Sequence, residues 1–423
     1  MSLRILVVTQ YFWPENFRIN ELVGELVGRG HTVTVLTGKP NYPDGVVFAE
    51  YRDHPQGFAH YRGAEVVRVP MLPRGQGALR LMLNYLTFAM AASVFGSWRL
   101  RGREFDVIFT FEPSPVTVGI PAILLRRLKR APLLFWVLDQ WPETLTAVGA
   151  VKSPGILRWV GRLVSCIYDR CDVVLAQSKS MVPLIARYTR PLERVVYFPN
   201  WCEAMQDVRT ALPAPELPPK NGKFDILFAG NIGESQHFGA ILDAAELLRE
   251  HDHIRWLFVG DGRVASWVQS EISRRGLSSA VQMLGRFPPE RMPSFYCRAD
   301  ALLVSLRPDP VFAMTVPGKL QSYLAAGLPI LGMLNGEGAQ IIEEAAAGYA
   351  CAAGDSAALA RNVLHLAALN PLDRVNMADR GRAFALSEFG RDQLVASLER
   401  RMRDLVQSNV QSGRVLRKYG GEA

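Results

Sequence analysis

Apolar runs of five or six residues recur through the first half of the chain: "RILVVT" (4–9), "TVTVLT" (32–37), "EVVRV" (65–69), "DVIFTF" (106–111), "LLFWVL" (133–138), "DVVLA" (172–176) and "RVVYF" (194–198). They are rich in β-branched residues and nearly continuous, as expected of strands buried on both faces. Segments long enough for crossover helices, such as Phe17–Arg29 and Val116–Arg130, lie between several of them. The alternation predicts an α/β fold with a doubly wound parallel sheet.

The pattern breaks at "ALPAPELPPKNGK" (211–223), where prolines replace apolar anchors, and this stretch reads as a linker. It then restarts with "FDILFAG" (224–230), "IRWLFVG" (254–260), "AVQMLG" (280–285), "DALLVS" (300–305) and "LPILGM" (328–333). A chain of 423 residues carries about two or three domains. We assign residues 1–205 to an N-terminal Rossmann-like domain, 206–223 to the linker and 224–389 to a C-terminal Rossmann-like domain, the two facing a cleft. A terminal helix over about 390–423 packs back on the first domain in this reading.

Charge and composition narrow the class. Apolar residues make up 49% of the chain and charged residues 21%, as in a globular protein with large cores. A net charge of +8 favours an anionic partner: nucleic acid, a membrane surface or a phosphorylated compound. The five cysteines form no C-x-x-C pair and no pattern with histidine, which argues against a zinc site or a disulfide framework and fits a reducing, cytosolic setting. The N-terminal "MSLRILVVTQ" is strand-like and lacks the flanks of a signal peptide. Leu81–Trp98 contains no charge over eighteen residues, with Arg80 before it and Arg99, Arg101 and Arg103 after it. That is the lower limit for crossing a bilayer, so a buried core helix, an interfacial helix and a span are all open.

Candidate chemistry gathers where strands end. "AGNIGESQHF" (229–238), "VGDGR" (259–263) and "TVPGKLQSYLAAGLP" (315–329) place glycines after predicted strands or at the mouth of a helix, where free N–H groups and the dipole favour phosphate. Each alone is ordinary turn chemistry; together they predict a nucleotide-phosphate site. G-x-G-x-x-G is missing after the first strand, which counts against NAD and FAD. Lys319, behind Pro317 and Gly318, is either a solvated lysine or a cation on a diphosphate. Asp139 in "VLDQWPETL" follows a strand and is either a substrate-facing carboxylate or a helix cap; Glu143 reads as a first-turn helix acid. In "GKPNYPDG" (38–45), Asn41 and Tyr42 are a sugar contact or a plain loop.

"QYFWPENFRINELVGELVGRGHTVTVLTGKPNYPDG", "FDVIFTFEPSPVTVGIPAILL", "VLDQWPETL", "FPNW", "FAGNIGESQHFGAILDAAELL", "VGDGR" and "TVPGKLQSYLAAGLPIL" occur in order over about residues 4–350. In these pieces the chain resembles the family 4 glycosyltransferases of the GT-B fold, in the branch that makes bacterial O-antigen and colanic-acid-type exopolysaccharide, including L-fucosamine and fucose transferases. The resemblance implies a retaining, metal-independent hexosyltransferase with no cofactor beyond its nucleotide-diphosphate sugar. No D-x-D triplet occurs.

On the same basis the donor, a UDP-sugar ahead of a GDP-sugar, would meet Gly230, Asn231, Gly233, Gln236, Gly260, Gly262, Arg263, Pro317, Gly318 and Ser322, with Lys319 and Asp139 in catalytic roles. Glu15, Asn16 and Arg18 join Asn41, Tyr42, Trp141 and Glu143 as acceptor-side candidates. The acceptor would be a lipid-diphosphate-linked saccharide at the inner face of the cytoplasmic membrane, with peripheral contact to anionic lipid and no nucleic acid partner. Three departures stand out. Many relatives carry a basic pair near Asn231 and Gln236, and two glutamates at the registers of Met314 and Ser322. A histidine in the acceptor domain of some is replaced by Asp139. The ribose contact, usually the second glutamate, is therefore unassigned. Rival readings are a nucleotide-sugar 2-epimerase of the same fold and a non-catalytic nucleotide-sugar binder.

Overall fold

A computed structural model describes residues 2–75, 77–147, 151, 153–202 and 208–419. The chain divides into two compact units, Met1–Phe198 with Asp392–Ala423, and Pro199–Arg391.

The first unit is built on eight strands: β1 (Arg4–Val8), β2 (Thr32–Thr37), β3 (His60–Tyr61), β4 (Ala64–Arg68), β5 (Val107–Glu112), β6 (Leu133–Val137), β7 (Val173–Ala176) and β8 (Val195–Tyr197). Their order is β3-β4-β2-β1-β5-β6-β7-β8. All neighbours pair in parallel except β3, which forms an antiparallel hairpin with β4 through positive-φ Arg62 and Gly63. Every residue of β5 and β6 is buried, as their uninterrupted apolar runs require. Glu112, the last residue of β5, lies in register with Val137, the last of β6, so Glu112 and the Asp139 loop leave the sheet at one edge.

The uncharged stretch forms a helix over Ala78–Ala91, a π-helical turn over Ala92–Gly96 and a last turn at Ser97–Arg99. It is the one described helix long and apolar enough to cross a membrane, with a third of its length buried in the protein. Its inner side carries buried Phe88 and Ala92. Asn84 on that side accepts from Gln10 Nε2 at 2.7 Å and donates to the Leu72 carbonyl at 2.6 Å. The outer side leaves Met90, Val94 and Trp98 exposed. A core helix would bury both sides. A span would have to leave behind the buried contacts of Phe88 and Asn84.

The terminal helix Arg391–Tyr419 buries Val395, Leu398 and Met402 against the first unit. His31 fixes its position. The His31 Nδ1 accepts the Leu3 N–H at 3.0 Å, so Nε2 carries the proton and donates to Glu399 at 3.1 Å.

The second unit has six parallel strands: β9 (Phe224–Ala229), β10 (Ile254–Val259), β11 (Val281–Gly285), β12 (Ala301–Ser305), β13 (Ile330–Met333) and β14 (Gly348–Cys351). Their order is β11-β10-β9-β12-β13-β14. The proline-rich stretch is not a free tether. Ala214 and Leu217 are buried, the Ala214 N–H donates to the Ser294 carbonyl at 2.9 Å, and Glu216 pairs with Arg291 at 2.7 Å. Arg255, buried with Asp225 at 2.7 Å, also holds the Pro219 carbonyl at 2.9 Å. Without helix or strand pairing of its own, the segment ties its backbone down through the Ser294 carbonyl and the Arg255 guanidinium.

Candidate active site

In the second unit, β9 and β10 end in glycines that only glycine can occupy. Gly230 has φ +135° and Gly260 φ +147°, and a Cβ on Gly260 would sit 1.8 Å from the Gly230 carbonyl oxygen. This close approach opens a cavity of about 490 Å³ beyond the strand ends. Gly230, Asn231, Gly260 and Gly262 line it together, at the edge of a parallel sheet where ligands bind. Its far wall is Arg286, Phe287, Pro288 and Met292, which the sequence reading did not assign. The signal was present: "AVQMLG" ends in a strand-terminal glycine as its neighbours do, and Arg286 and Phe287 follow it directly.

The helix Gly318–Ala326 is clamped to the same edge. The Tyr323 hydroxyl accepts the Ala229 N–H at 2.8 Å and donates to the Ala229 carbonyl at 3.1 Å. Gln321 Nε2 donates to the Asn200 carbonyl at 2.8 Å. With the helix fixed in rotation, Lys319 turns toward the end of β9. Its Nζ lies 3.8 Å from the centre of the Phe228 ring and would be 3.5 Å from a Cβ on Gly230. The residue is half-buried, yet its amine is shielded and has no hydrogen-bond partner. Burial brings its pKa down to about 7.

Asn231 and Gln236 converge on Gly233. The Gly233 N–H donates to Gln236 Oε1 at 3.0 Å, and a Cβ on Gly233 would be 2.6 Å from Asn231 Nδ2. Both amides therefore flank the turn that leads into the helix Phe238–Leu247. Arg263 does not join them. It is exposed, and its nearest acid is Glu234 at 4.0 Å. The Ser322 hydroxyl turns back to the Gly318 carbonyl at 3.4 Å. Pro317 caps the Lys319 helix in extended conformation.

In the first unit, Asp139 is half-buried past the end of β6 and accepts from the Thr144 hydroxyl at 2.8 Å. Burial raises its pKa, and the Thr144 hydroxyl opposes the shift. Glu112, unassigned from sequence, is fully buried, and its carboxyl group faces the backbone N–H groups of Leu138 and Asp139 without a close hydrogen bond to either. Burial first, then the charge of Asp139, holds its pKa well above the usual carboxylate range. The rule that singled out Asp139, a carboxylate at a strand's C-terminal end, applies equally to Glu112.

The other first-unit candidates are placed as follows. Glu15 is buried and accepts backbone N–H groups of Phe12, Asn41 and Tyr42 at 3.1, 2.7 and 2.8 Å. Burial nevertheless brings its pKa up to about 7. Asn41 is buried and takes the Arg74 N–H at 2.6 Å. Tyr42 packs on Tyr11 and Phe17, with Arg74 over its ring at 5.3 Å. Arg18 lies 3.6 Å from Glu21, and Asn16 is exposed. Trp141 meets Tyr85 edge-on, and Glu143 accepts from the Tyr188 hydroxyl at 2.9 Å. Glu15 and Asn41 thus join two loops, while Asp139, Trp141 and Glu143 gather at the end of β6.

Comparison with known proteins agrees with this architecture. Residues 16–201 match the glycosyl transferase 4-like domain, and residues 223–368 match the glycosyl transferases group 1. The chain is 30% identical over 253 residues to a probable glycosyltransferase, WbjE, of Pseudomonas aeruginosa, covering 57% of this chain and 62% of that protein. It is 28% identical over 344 residues to the "Putative colanic acid biosynthesis glycosyl transferase WcaI" of Escherichia coli, covering 77% and 82%. Among solved structures, Anabaena HepE in complex with UDP and glucose superposes with a TM-score of 0.66 at 14% identity, over 95% of this chain and all of that one. WaaG, a glycosyltransferase involved in lipopolysaccharide biosynthesis, gives 0.62 at 14% identity, over 93% and 98%. Both structural likenesses bear on the fold.

Proposed function

The chain belongs to the family 4 glycosyltransferases, and on that premise we propose that it moves a sugar, with retention, from a nucleoside-diphosphate sugar to a lipid-linked saccharide in bacterial surface-polysaccharide synthesis. The observation that carries the donor half is Lys319. Its shielded, unpartnered amine faces Gly230, and Gly230 also lines the glycine-walled cavity. A diphosphate there restores the ammonium charge that burial disfavours, and the N–H groups at Gly318 and Lys319 add donors. Both act where negative charge grows as the nucleoside diphosphate departs. Arg286 and Phe287, beyond the cavity, suit the base or ribose, a contact Ser322 does not supply. UDP in HepE makes uracil the first base to test.

The acceptor half rests on the first unit. The helix Gly119–Lys129 packs against the Ala78–Ala91 helix on one side and the Pro154–Tyr168 helix on the other. Each of the three exposes apolar side chains, among them Met90, Leu128, Ile156 and Trp159, and the turns after Ala91 add Val94 and Trp98. Arg80, Arg99, Arg127 and Arg158 border them. An apolar layer with basic flanks suits peripheral contact with an anionic membrane.

Calorimetry with UDP, GDP and dTDP, followed by transfer from the corresponding labelled sugars to membrane extracts, tests the reading. Binding plus a lipid-extractable labelled product supports it. Isomerised sugar without acceptor would establish an epimerase, and binding without turnover a non-catalytic role. No binding of any nucleoside diphosphate would overturn the donor assignment.

A further inference from the structure

A second cavity, of about 480 Å³, lies in the first unit at the ends of β2 and β4. It shares no lining residue with the proposed donor site. Lys39, Arg68 and Arg99 line it, and no carboxylate does. Tyr51, Phe58 and Val69 supply part of an otherwise largely apolar wall.

Arg68 is the decisive group. It is 8% exposed at the end of β4, and among the described residues no carboxylate forms an ion pair with its guanidinium. Its Nη1 donates to the Gly38 carbonyl at 2.8 Å, its Nη2 to the Trp13 carbonyl, and the Tyr51 ring lies 5.3 Å away. Its Nε is buried without a partner. Glu15, the carboxylate whose charge it feels, is occupied by three backbone N–H groups. Glu50 and Asp53, on the same helix as Tyr51, are exposed and do not line the cavity. Arg99 Nη1 donates to the Arg68 carbonyl at 3.0 Å, which places a second cation beside the first. A buried guanidinium with no carboxylate in direct contact is costly, and carbonyl oxygens supply only part of the missing negative charge.

We propose that this cavity is a second anion site, separate from Lys319, that takes a phosphate or diphosphate ester. The oxyanion would meet Lys39, Arg68 and Arg99, and the organic part of the ester would lie on the apolar wall. Arg99 closes the exposed apolar helix, so the ester can come from a lipid head group as well as from a soluble compound.

The test uses the full chain, with Lys319→Ala to silence the proposed donor site and Lys39→Gln and Arg99→Gln to weaken this one. Lys39 and Arg99 are exposed, and circular dichroism and melting temperature check that the variants fold. Lys39 lies off the apolar helix, so its loss reports on the cavity alone. The probes are inorganic diphosphate by calorimetry, and phosphatidylglycerol against phosphatidylcholine vesicles by flotation. Diphosphate binding that survives Lys319→Ala and falls about tenfold or more in Lys39→Gln supports the site with a soluble ester as sufficient ligand. No diphosphate binding, but phosphatidylglycerol flotation that falls in Lys39→Gln, supports it with the lipid head group as source. If both readouts are unchanged in folded Lys39→Gln and Arg99→Gln, the proposal is wrong, whatever becomes of the donor site.

Discussion

The Lys319 amine lies 3.8 Å over the Phe228 ring, across 91 residues of sequence. The ring is the last aromatic side chain of β9, and the lysine is the second residue of a helix clamped to that strand. The contact holds the amine in an apolar setting where its charge has no counter-ion.

That setting sets a pH dependence. Burial puts the Lys319 pKa at about 7 in the folded protein, below its ordinary 10.5. Between those values the unfolded chain holds a proton that the folded chain has lost, so this group's contribution to stability grows as pH rises across the window. Anion binding favours the protonated amine. From pH 7 to 9, where a terminal phosphate is already ionised, affinity for UDP should fall by up to about tenfold per unit. Lys319→Met should bind about ten- to a hundredfold more weakly at pH 7, lose this slope, and melt no lower than the parent at pH 6. Calorimetry at each pH, with melting curves, checks all three.

Gly260→Ala should break the donor edge. The new Cβ would fall 1.8 Å from the Gly230 carbonyl at a φ that alanine avoids. A loss of about 1–3 kcal/mol in stability is expected, with a larger proportional loss of UDP binding. Gly276→Ala, also at positive φ but with nothing within 4 Å, is the control. Equal binding losses in the two would mean that backbone strain, not the closeness of the two loops, matters.

Asp139→Asn should leave UDP affinity unchanged and lower transfer, if its carboxylate meets the acceptor. Glu112→Gln separates the two buried acids. The Glu112 pKa stands well above its unfolded value of 4.5, so its share of stability is complete below 4.5 and is lost as pH rises through the folded value. A glutamine, which cannot ionise, should flatten that decline in melting temperature above pH 4.5. An unchanged melting profile would mean that Glu112 does not titrate in this range.

Trp98→Ser and Trp159→Ser should each reduce flotation with phosphatidylglycerol vesicles about fivefold or more, since each removes a large exposed apolar group. High salt should release the protein in part, through screening of the flanking arginines. Binding that resists both changes would move membrane contact to another surface.

Local pattern alone determined much of this. The apolar runs became β1, β2 and β4–β13 with ends moved by a residue or two, because strands buried on both faces have few alternatives. The glycines at 230 and 260 marked strand ends, since positive φ leaves little choice of residue. β3 and β14 escaped notice: one is two residues long, the other a half-buried Gly-Tyr-Ala-Cys without β-branching.

Tertiary structure decided the rest, through desolvation and rotation. "PGK" announces a helix start, but the hydrogen bonds of Tyr323 to Ala229 and of Gln321 to Asn200 fix the rotation that brings Lys319 onto Phe228. "VGDGR" places Gly262 and Arg263 side by side, yet the glycine lines the cavity and the arginine faces solvent. Proline content suggested a linker over 211–223, and burial of Ala214 and Leu217 made it part of the second unit. Arg68 reads as the end of a strand. What isolates its charge is the convergence of Gly38, Trp13 and Tyr51 from three separate segments, and no local pattern of residues encodes which segments meet.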